Sequence, residues 1–231
     1  MQTFLALPPE LTAPLTEGGH YSYKNSARIL DNRRLSKQRI EGYQILKVLS
    51  FNDITDKPPA WYNHPALLQW KGYEWSLFDY ICDICLVWKE ERGFKDTIYD
   101  KLDDLTIPGP TQEVLHPTLP PWMGNIDFHR SHRSRLLFKG RVDAALKALK
   151  SFLPKGIDIK HWMACDETIL VFNHSTIKNF GSITSNELQQ IEDFLFKNKV
   201  EIPSNHYTQF GWGEPDNLPY VWPVRKNVAI T

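Results

Sequence analysis

A run of basic residues that ends in a single carboxylate is the stretch of this sequence best suited to chemistry. It lies within residues 26–50, where Asp31 is the only acid among the basic residues and Glu41 follows them directly. Apolar residues recur behind it at helical spacing, which predicts an amphipathic helix. The basic residues of this first block are Arg28, Arg33, Arg34, Lys37 and Arg39.

One face of the predicted helix combines positive charge with the carboxylate. At about 100° per residue, Arg34, Lys37, Gln38 and Glu41 share that face. Arginine and lysine there would neutralise the backbone phosphates of a nucleic acid and release its counterions. A carboxylate opposes phosphate binding, so Glu41 needs another role. It either does chemistry on a sugar or base, or pairs with Lys37 four residues earlier for a few tenths of a kcal/mol.

Arg39 does not fit this division into faces, because it falls on the apolar side of the helix. Either its aliphatic stem packs there and its charged head reaches solvent, or the helix begins later in the chain.

Composition sets the class of the protein. The 231 residues are 42% hydrophobic, and Lys+Arg equals Asp+Glu at 27 each, so attraction to a polyanion must come from a local patch. Three cysteines argue against a disulfide framework and favour a reducing compartment. The sequence has no export signal and no long apolar run. We therefore expect one soluble, cytoplasmic domain over residues 1–231, without membrane attachment.

A second predicted helix follows the first. Pro65 suits a first helical turn, and apolar residues continue from there to Gly93, which predicts one central buried helix with a bend near Gly72. The pair Cys82-x-x-Cys85 lies inside this apolar pattern. Without a further metal or redox motif nearby, such a pair more often packs in a core.

The second basic block spans residues 129–141 and contains no acid. Ser131 and Ser134 could bond phosphate oxygens or cap a helix. His129-x-x-His132 lacks the further ligands that a zinc site needs, so phosphate contact is favoured and a structural role for the histidines is the alternative. The fixed charges of this block are Arg130, Arg133, Arg135, Lys139 and Arg141.

The sequence pattern changes in residues 143–209, which are interpreted as an inserted αβ element. The segment 168–172 predicts a strand, and Thr184-x-x-Glu187 is a capping box ahead of an amphipathic helix. The aromatic segment that follows ends in Tyr220 and Trp222, and its rings could stack on bases or cover the core.

Several motifs together resemble one enzyme family. They are MQTFL at the start, LDNRRLSKQRIEGYQIL at 30–46, NHPALLQW at 63–70, ERGF at 91–94, FHRSHRSRLL at 128–137 and PYVWP near the end. In these motifs the chain is similar to the pyrimidine-dimer DNA glycosylases, the endonuclease V family, and most to their longer cellular branch. The resemblance covers residues 1–141 and 210–223.

The resemblance implies a mainly α, compact helical domain and an enzyme that removes a damaged base and then nicks the abasic site. The nucleophile would be the N-terminal α-amine, here that of Met1, which forms a Schiff base at C1′ of the sugar. Glu41 would stabilise the positive sugar and assist β-elimination. The predicted DNA contacts are Arg33, Arg34, Lys37, Arg39, His64, His129, Arg130, His132, Arg133 and Arg135.

The same resemblance implies no metal or other cofactor. The expected partner is damaged double-stranded DNA, bound by a monomer, and the protein would be DNA-associated, or nuclear in a eukaryote.

One departure from the family keeps other functions open. Residue 2 is Gln2, which is too large for removal of the initiator methionine, so either Met1 itself supplies the amine or the lyase chemistry is altered or lost. The alternatives are a catalytically silent DNA-binding protein and an enzyme that acts on another modified base or on RNA.

Overall fold

The computed structural model describes residues 5–7, 22–50, 61–107, 119–152 and 183–222. The chain divides into two compact units, Met1–His132 with Tyr220–Thr231, and Arg133–Pro219. The described residues are mainly helical and contain no strand, which confirms the predicted mainly α class. The strand predicted at 168–172 lies outside them, and the predicted insertion, 143–209, lies within the second unit.

The first basic block forms two helices rather than one. Helix α1 spans Lys24–Arg28 and helix α2 spans Asn32–Leu49. Asp31, the only acid in the block, is the N-cap of α2, and its side chain accepts a hydrogen bond from the Arg34 backbone N–H at 3.0 Å. The cap satisfies one of the amides that a helix start leaves without a partner.

The predicted single helix after residue 65 is also two helices. Helix α3 covers only Pro65–Leu68, and helix α4 covers Glu74–Leu86 before a π-helical turn at Val87–Glu91. Gly72, between them, has a φ of +84°, a left-handed conformation that a continuous helix would not contain. The predicted end at Gly93 agrees with its φ of +69°.

Aromatic rings form the core of the first unit. Trp70 is fully buried and lies 5.0 Å from Trp122 and 5.4 Å from Tyr80, measured between ring centroids. The Trp122 indole N–H donates to the backbone carbonyl of Gln69 at 2.8 Å, so this large ring is buried without an unpaired donor.

The two cysteines of α4 behave as packing residues. Burial raises the pKa of Cys82 to about 12, with the nearby carboxylates of Asp79 and Asp83 adding to the effect, and burial also raises the pKa of Cys85. Both thiols therefore stay protonated near neutral pH, where a reactive cysteine would need a thiolate.

The second unit packs the later part of helix α5, Ile126–Phe152, against helix α6, Ser185–Lys197. The predicted capping box is present at the start of α6: the Glu187 N–H donates to Thr184 Oγ1 at 3.3 Å, and the Thr184 N–H donates to Glu187 Oε2 at 2.7 Å. A short 3₁₀ turn, Thr208–Phe210, follows. The core between α5 and α6 contains Val142, Ala145, Leu149, Leu188, Ile191 and Leu195.

Candidate active site

Helix α2 exposes a basic ridge and buries its apolar side. Arg33, Lys37 and Lys47 are exposed on this ridge, and Arg34 and Glu41 are half-buried beside it. Lys37 and Glu41 are one turn apart, yet no ion pair joins them among the described side chains. The alternative explanation of Glu41, pairing with Lys37, is therefore not realised in this structure.

Two members of the predicted face lie deeper than the sequence indicated. The Arg34 guanidinium donates to Asp31 Oδ2 at 3.0 Å and is held next to the helix cap. Gln38 is only 2% exposed, and its side-chain oxygen accepts a hydrogen bond from the Tyr80 hydroxyl. Gln38 therefore belongs to the packed side of α2, toward α4.

Arg39 lies inside the protein. It is 7% exposed, forms an ion pair with Asp96, and places its guanidinium carbon 5.0 Å from the centroid of the Trp88 ring. Burial alone would raise the pKa of the Asp96 carboxyl, but hydrogen bonds from the Ile98 N–H, the Cys85 thiol and Arg39 outweigh it and hold that pKa below its ordinary value. The internal ion pair explains why Arg39 occupies the apolar side of α2 without reaching solvent.

His64 is exposed and forms the N-cap of α3. Its Nδ1 accepts a hydrogen bond from the Ala66 N–H at 3.1 Å, so the ring hydrogen of the neutral imidazole is on Nε2. The ring also contacts Trp222 edge-on at 6.1 Å between centroids.

His129 and His132, predicted to contact DNA, are each only 1% exposed. Because the Gly124 N–H donates to His129 Nε2 at 3.1 Å, the ring hydrogen is on Nδ1, which donates to the Leu5 carbonyl at 2.9 Å. His132 Nδ1 lies 2.7 Å from the Phe128 carbonyl. A structural role, the alternative given by the sequence, fits both rings.

The arginines of the second basic block contact polar side chains from residues 185–217. Arg133 donates to Glu214 at 3.0 Å, and Arg135 donates to the Asn217 side chain. Arg141 donates to Glu192 at 2.7 Å and to Asp216 at 2.9 Å. These contacts lie within the second unit, so much of the positive charge is compensated internally.

Arg130 differs from the other arginines of this block. Its side chain is 45% exposed and forms an ion pair with Asp127 at 3.9 Å. Of the predicted contacts in this block, Arg130 is therefore the one best placed to meet a ligand.

Met1 lies outside the described residues, but the chain close to it does not. Leu5 and Ala6 are fully buried, and the Ala6 N–H donates to Ser26 Oγ of α1 at 3.0 Å. Ser26 was not predicted to belong to the site, because no local spacing pattern connects it with a residue 20 positions earlier.

The described residues contain no cluster of three or more potential metal ligands. Within the same ranges, no helix combines the length and apolar character needed to cross a bilayer.

Comparison with known proteins gives one match. Residues 19–102 match a family model described as pyrimidine dimer DNA glycosylase, and this region contains α1 to α4 and Glu41 but ends before the second basic block. No curated protein and no solved structure matched the chain. The match confirms the predicted resemblance over residues 19–102. Over residues 19–102, the chain is similar to the pyrimidine dimer DNA glycosylase family.

Proposed function

We propose that the protein is a DNA glycosylase with AP-lyase activity on pyrimidine dimers or similar base damage, with Met1 as nucleophile and Glu41 as the assisting carboxylate. The observation that carries this proposal is the position of Glu41. It is half-buried beside the basic ridge of α2, inside the region matched to the family, and has no ion pair with Lys37 among the described side chains.

An α-amine suits this reaction better than a lysine. Its ordinary pKa is about 7.7–8.0, so a useful fraction is unprotonated near neutral pH without special tuning. The amine nitrogen bonds to C1′ as the bond from C1′ to the damaged base breaks, and the base leaves with the electron pair. Loss of the amine protons and cleavage of the bond from C1′ to the ring oxygen O4′, which takes up a proton as a hydroxyl, then give an imine of the opened sugar.

Glu41 would act in two stages of the reaction. Its carboxylate first stabilises the positive charge that develops on the sugar, as a carboxylate does in glycoside hydrolysis. It then assists removal of a 2′ proton, which expels the 3′ phosphate and cuts the strand. Water hydrolyses the imine and returns the free amine.

The basic ridge would hold the DNA backbone beside this carboxylate. Arg33 and Lys37 are exposed there, and in our proposal they contact phosphates, with Arg34, His64 and Arg130 extending the contact. Extrusion of the damaged nucleotide is eased because a lesion weakens base stacking. The remaining predicted contacts are buried or bonded internally, so in our proposal they do not contact DNA: Arg39, His129, His132, Arg133 and Arg135.

Borohydride trapping tests the nucleophile. A duplex with one thymine dimer or one abasic site is incubated with the protein and sodium borohydride, and mass spectrometry identifies the linked peptide. A reduced adduct on the α-amine of Met1 is expected. With folded protein, a confirmed N-terminus and a working control enzyme, the absence of an adduct would refute the mechanism.

Replacement of the carboxylate tests Glu41. Glu41→Gln preserves size and is expected to lower strand cleavage by roughly 100-fold or more, while the Kd for damaged duplex stays within about threefold. Glu90→Gln, on an exposed glutamate of the same unit, is the matched control and should cleave normally. If Glu41→Gln weakened DNA binding as much as it slowed cleavage, Glu41 would have a structural role and not a catalytic one.

Gln2 favours a second candidate, a DNA-binding protein without lyase activity. That protein would bind damaged duplex but give no adduct and no nick in irradiated plasmid. Trapping on other modified-base duplexes or on RNA, with none on dimer DNA, would instead indicate a related enzyme of different substrate.

A further inference from the structure

Two side chains from two different helices hold the beginning of the described chain. Ser26 of α1 accepts a hydrogen bond from the Ala6 N–H at 3.0 Å, and His129 of α5 donates to the Leu5 carbonyl at 2.9 Å. Leu5 and Ala6 are fully buried, and Ser26 and His129 are 3% and 1% exposed. The backbone of this segment is therefore held by two hydrogen bonds, one through the Ala6 N–H and one through the Leu5 carbonyl, and both are shielded from water.

The environment of His129 defines the direction of its hydrogen bond. The Gly124 N–H donates to Nε2 at 3.1 Å, which leaves the ring hydrogen on Nδ1, and Nδ1 faces the Leu5 carbonyl. The Phe128 ring packs edge-on against the imidazole at 5.4 Å between centroids. Both ring nitrogens are thus engaged, and the ring is set as a donor to the N-terminal segment.

The anchor made by Ser26 lies in α1, the helix that directly precedes the helix that carries Glu41. Arg92 donates to the carbonyls of Arg28, at 2.8 Å, and Leu30, at 3.2 Å, and so fixes the junction between α1 and α2. Ser26 is on the α1 side of this junction. A shift of residues 5 and 6 relative to α1 is therefore a shift relative to the start of α2.

We infer that His129, together with Ser26, is a positioning residue for the attacking amine. This inference rests on the proposed function. The path from the Met1 nitrogen to the Leu5 carbonyl runs through five residues, and an extended chain spans at most about 3.6 Å per residue, so the amine stays within roughly 18 Å of the anchored carbonyl. Fixing Leu5 restricts where the amine can meet C1′, and His129 acts on the reaction through this bond without touching DNA.

A pair of variants of similar shape separates the hydrogen bond from packing. His129→Asn keeps an N–H donor close to the position of Nδ1, whereas His129→Leu removes the donor at similar size. The measured quantities are the rate of borohydride-trapped adduct at saturating abasic duplex and the Kd for that duplex. We expect His129→Leu to lower the rate by roughly 10- to 100-fold through misplacement of the amine, with Kd within about threefold. His129→Asn should restore most of the rate.

Ser26→Ala removes the second anchor, and it should lower the trapping rate in the same way. The control for a general loss of stability is His132→Asn, because His132 is equally buried on the same helix but bonds to the Phe128 carbonyl. Hydrogen exchange of the peptide that contains Ala6 measures the anchoring directly. It should accelerate in His129→Leu and Ser26→Ala and change little in His132→Asn.

The outcomes distinguish this inference from the proposed function. If the wild-type protein gives no adduct, the amine mechanism fails and the positioning role fails with it. If the wild type gives an adduct and His129→Leu traps at the wild-type rate despite faster exchange at Ala6, the positioning role is overturned while the proposed function stands. Equal rates for His129→Leu, His129→Asn and His132→Asn would also overturn it, because stability alone would then explain the loss.

Discussion

The two basic blocks have similar composition, but their side chains have different partners in the structure. One arginine of α2 pairs with an acid at the helix cap, and another pairs with an acid on the buried side. Arg33 and Lys37 remain exposed on one ridge, with Glu41 beside them. In α5, partners from residues 185–217 meet Arg133, Arg135 and Arg141. A run of positive charge in a sequence therefore indicates a phosphate-binding surface only where no distant segment of the chain supplies carboxylates to it.

The largest expected difference between the blocks is in stability. Arg133→Ala leaves Glu214, whose side chain is 7% exposed, without its guanidinium partner. Loss of one partner of a buried pair costs about 3–5 kcal/mol. The free energy of unfolding, measured by urea titration, should fall by an amount of that order.

Arg130→Ala is the matched control, because Arg130 is one turn earlier on α5 and its side chain is 45% exposed. An exposed pair contributes about 0–1 kcal/mol. If Arg133→Ala were as stable as Arg130→Ala, the second block would not be internally compensated.

A glycine substitution tests how closely the returning chain approaches α5. A Cβ added at Gly140 would lie 1.9 Å from Asn205 Oδ1, and Asn205 is held by bonds to the Leu137 carbonyl and the Tyr207 N–H. Gly140→Ala should therefore lower the free energy of unfolding by about 1–3 kcal/mol, although alanine normally favours a helix.

Thermal melts compare Gly140→Ala with Lys147→Ala, at an exposed position of the same helix. Lys147→Ala should change stability by less than about 0.5 kcal/mol. An increase in stability for Gly140→Ala would contradict the close approach.

The pH dependence of stability tests the internal ion pair of the first block. Because the pKa of Asp96 is held below its ordinary value, the carboxylate stabilises the fold above the unfolded-state pKa of about 3.9. This contribution is lost as the pH falls through the lower pKa of the folded state.

Asp96→Asn should lower stability at pH 7 and flatten its dependence on pH below about 4, relative to wild type. Urea titrations between pH 3 and 7 measure both effects. If stability depended on pH below about 4 in the same way in Asp96→Asn and in wild type, the ionised carboxylate of Asp96 would not stabilise the fold.

The smallest expected effect on stability is at the exposed ridge. Lys37→Ala should change the free energy of unfolding by less than about 0.5 kcal/mol. If Lys37 contacts a phosphate, the slope of log K for duplex binding against log salt should become shallower by about 1. Lys197→Ala, on an exposed lysine of α6, should leave the slope unchanged; equal slopes for both variants would remove Lys37 from the interface.

Local features of the fold were predictable because their partners are close in sequence. Asp31 lies three residues before the amide that it caps, and the capping box joins Thr184 to Glu187. Hydrophobic periodicity likewise placed α2 and Glu41. The break between α3 and α4 was missed because the apolar spacing continues across residues 69–73, where the structure has turns and a left-handed Gly72.

Contacts between distant residues were not predictable from local patterns. Asp96 is 57 positions from Arg39, and Leu5 is 124 positions from His129. Basic and histidine residues look the same in a sequence whether they meet DNA, a carboxylate or a backbone carbonyl. The structure reassigns the buried arginines and histidines for this reason.

The cap on helix α3 limits the acid–base chemistry open to His64. Its Nδ1 lone pair is occupied by the Ala66 N–H, and its Nε2 already carries the hydrogen, so the capped ring can give a hydrogen bond but has no free site to accept a proton. A substrate oxygen could be recognised there, but a carbon-bound hydrogen could not be abstracted. While His64 caps α3 in this way, our proposal assigns the removal of the 2′ proton to the carboxylate of Glu41.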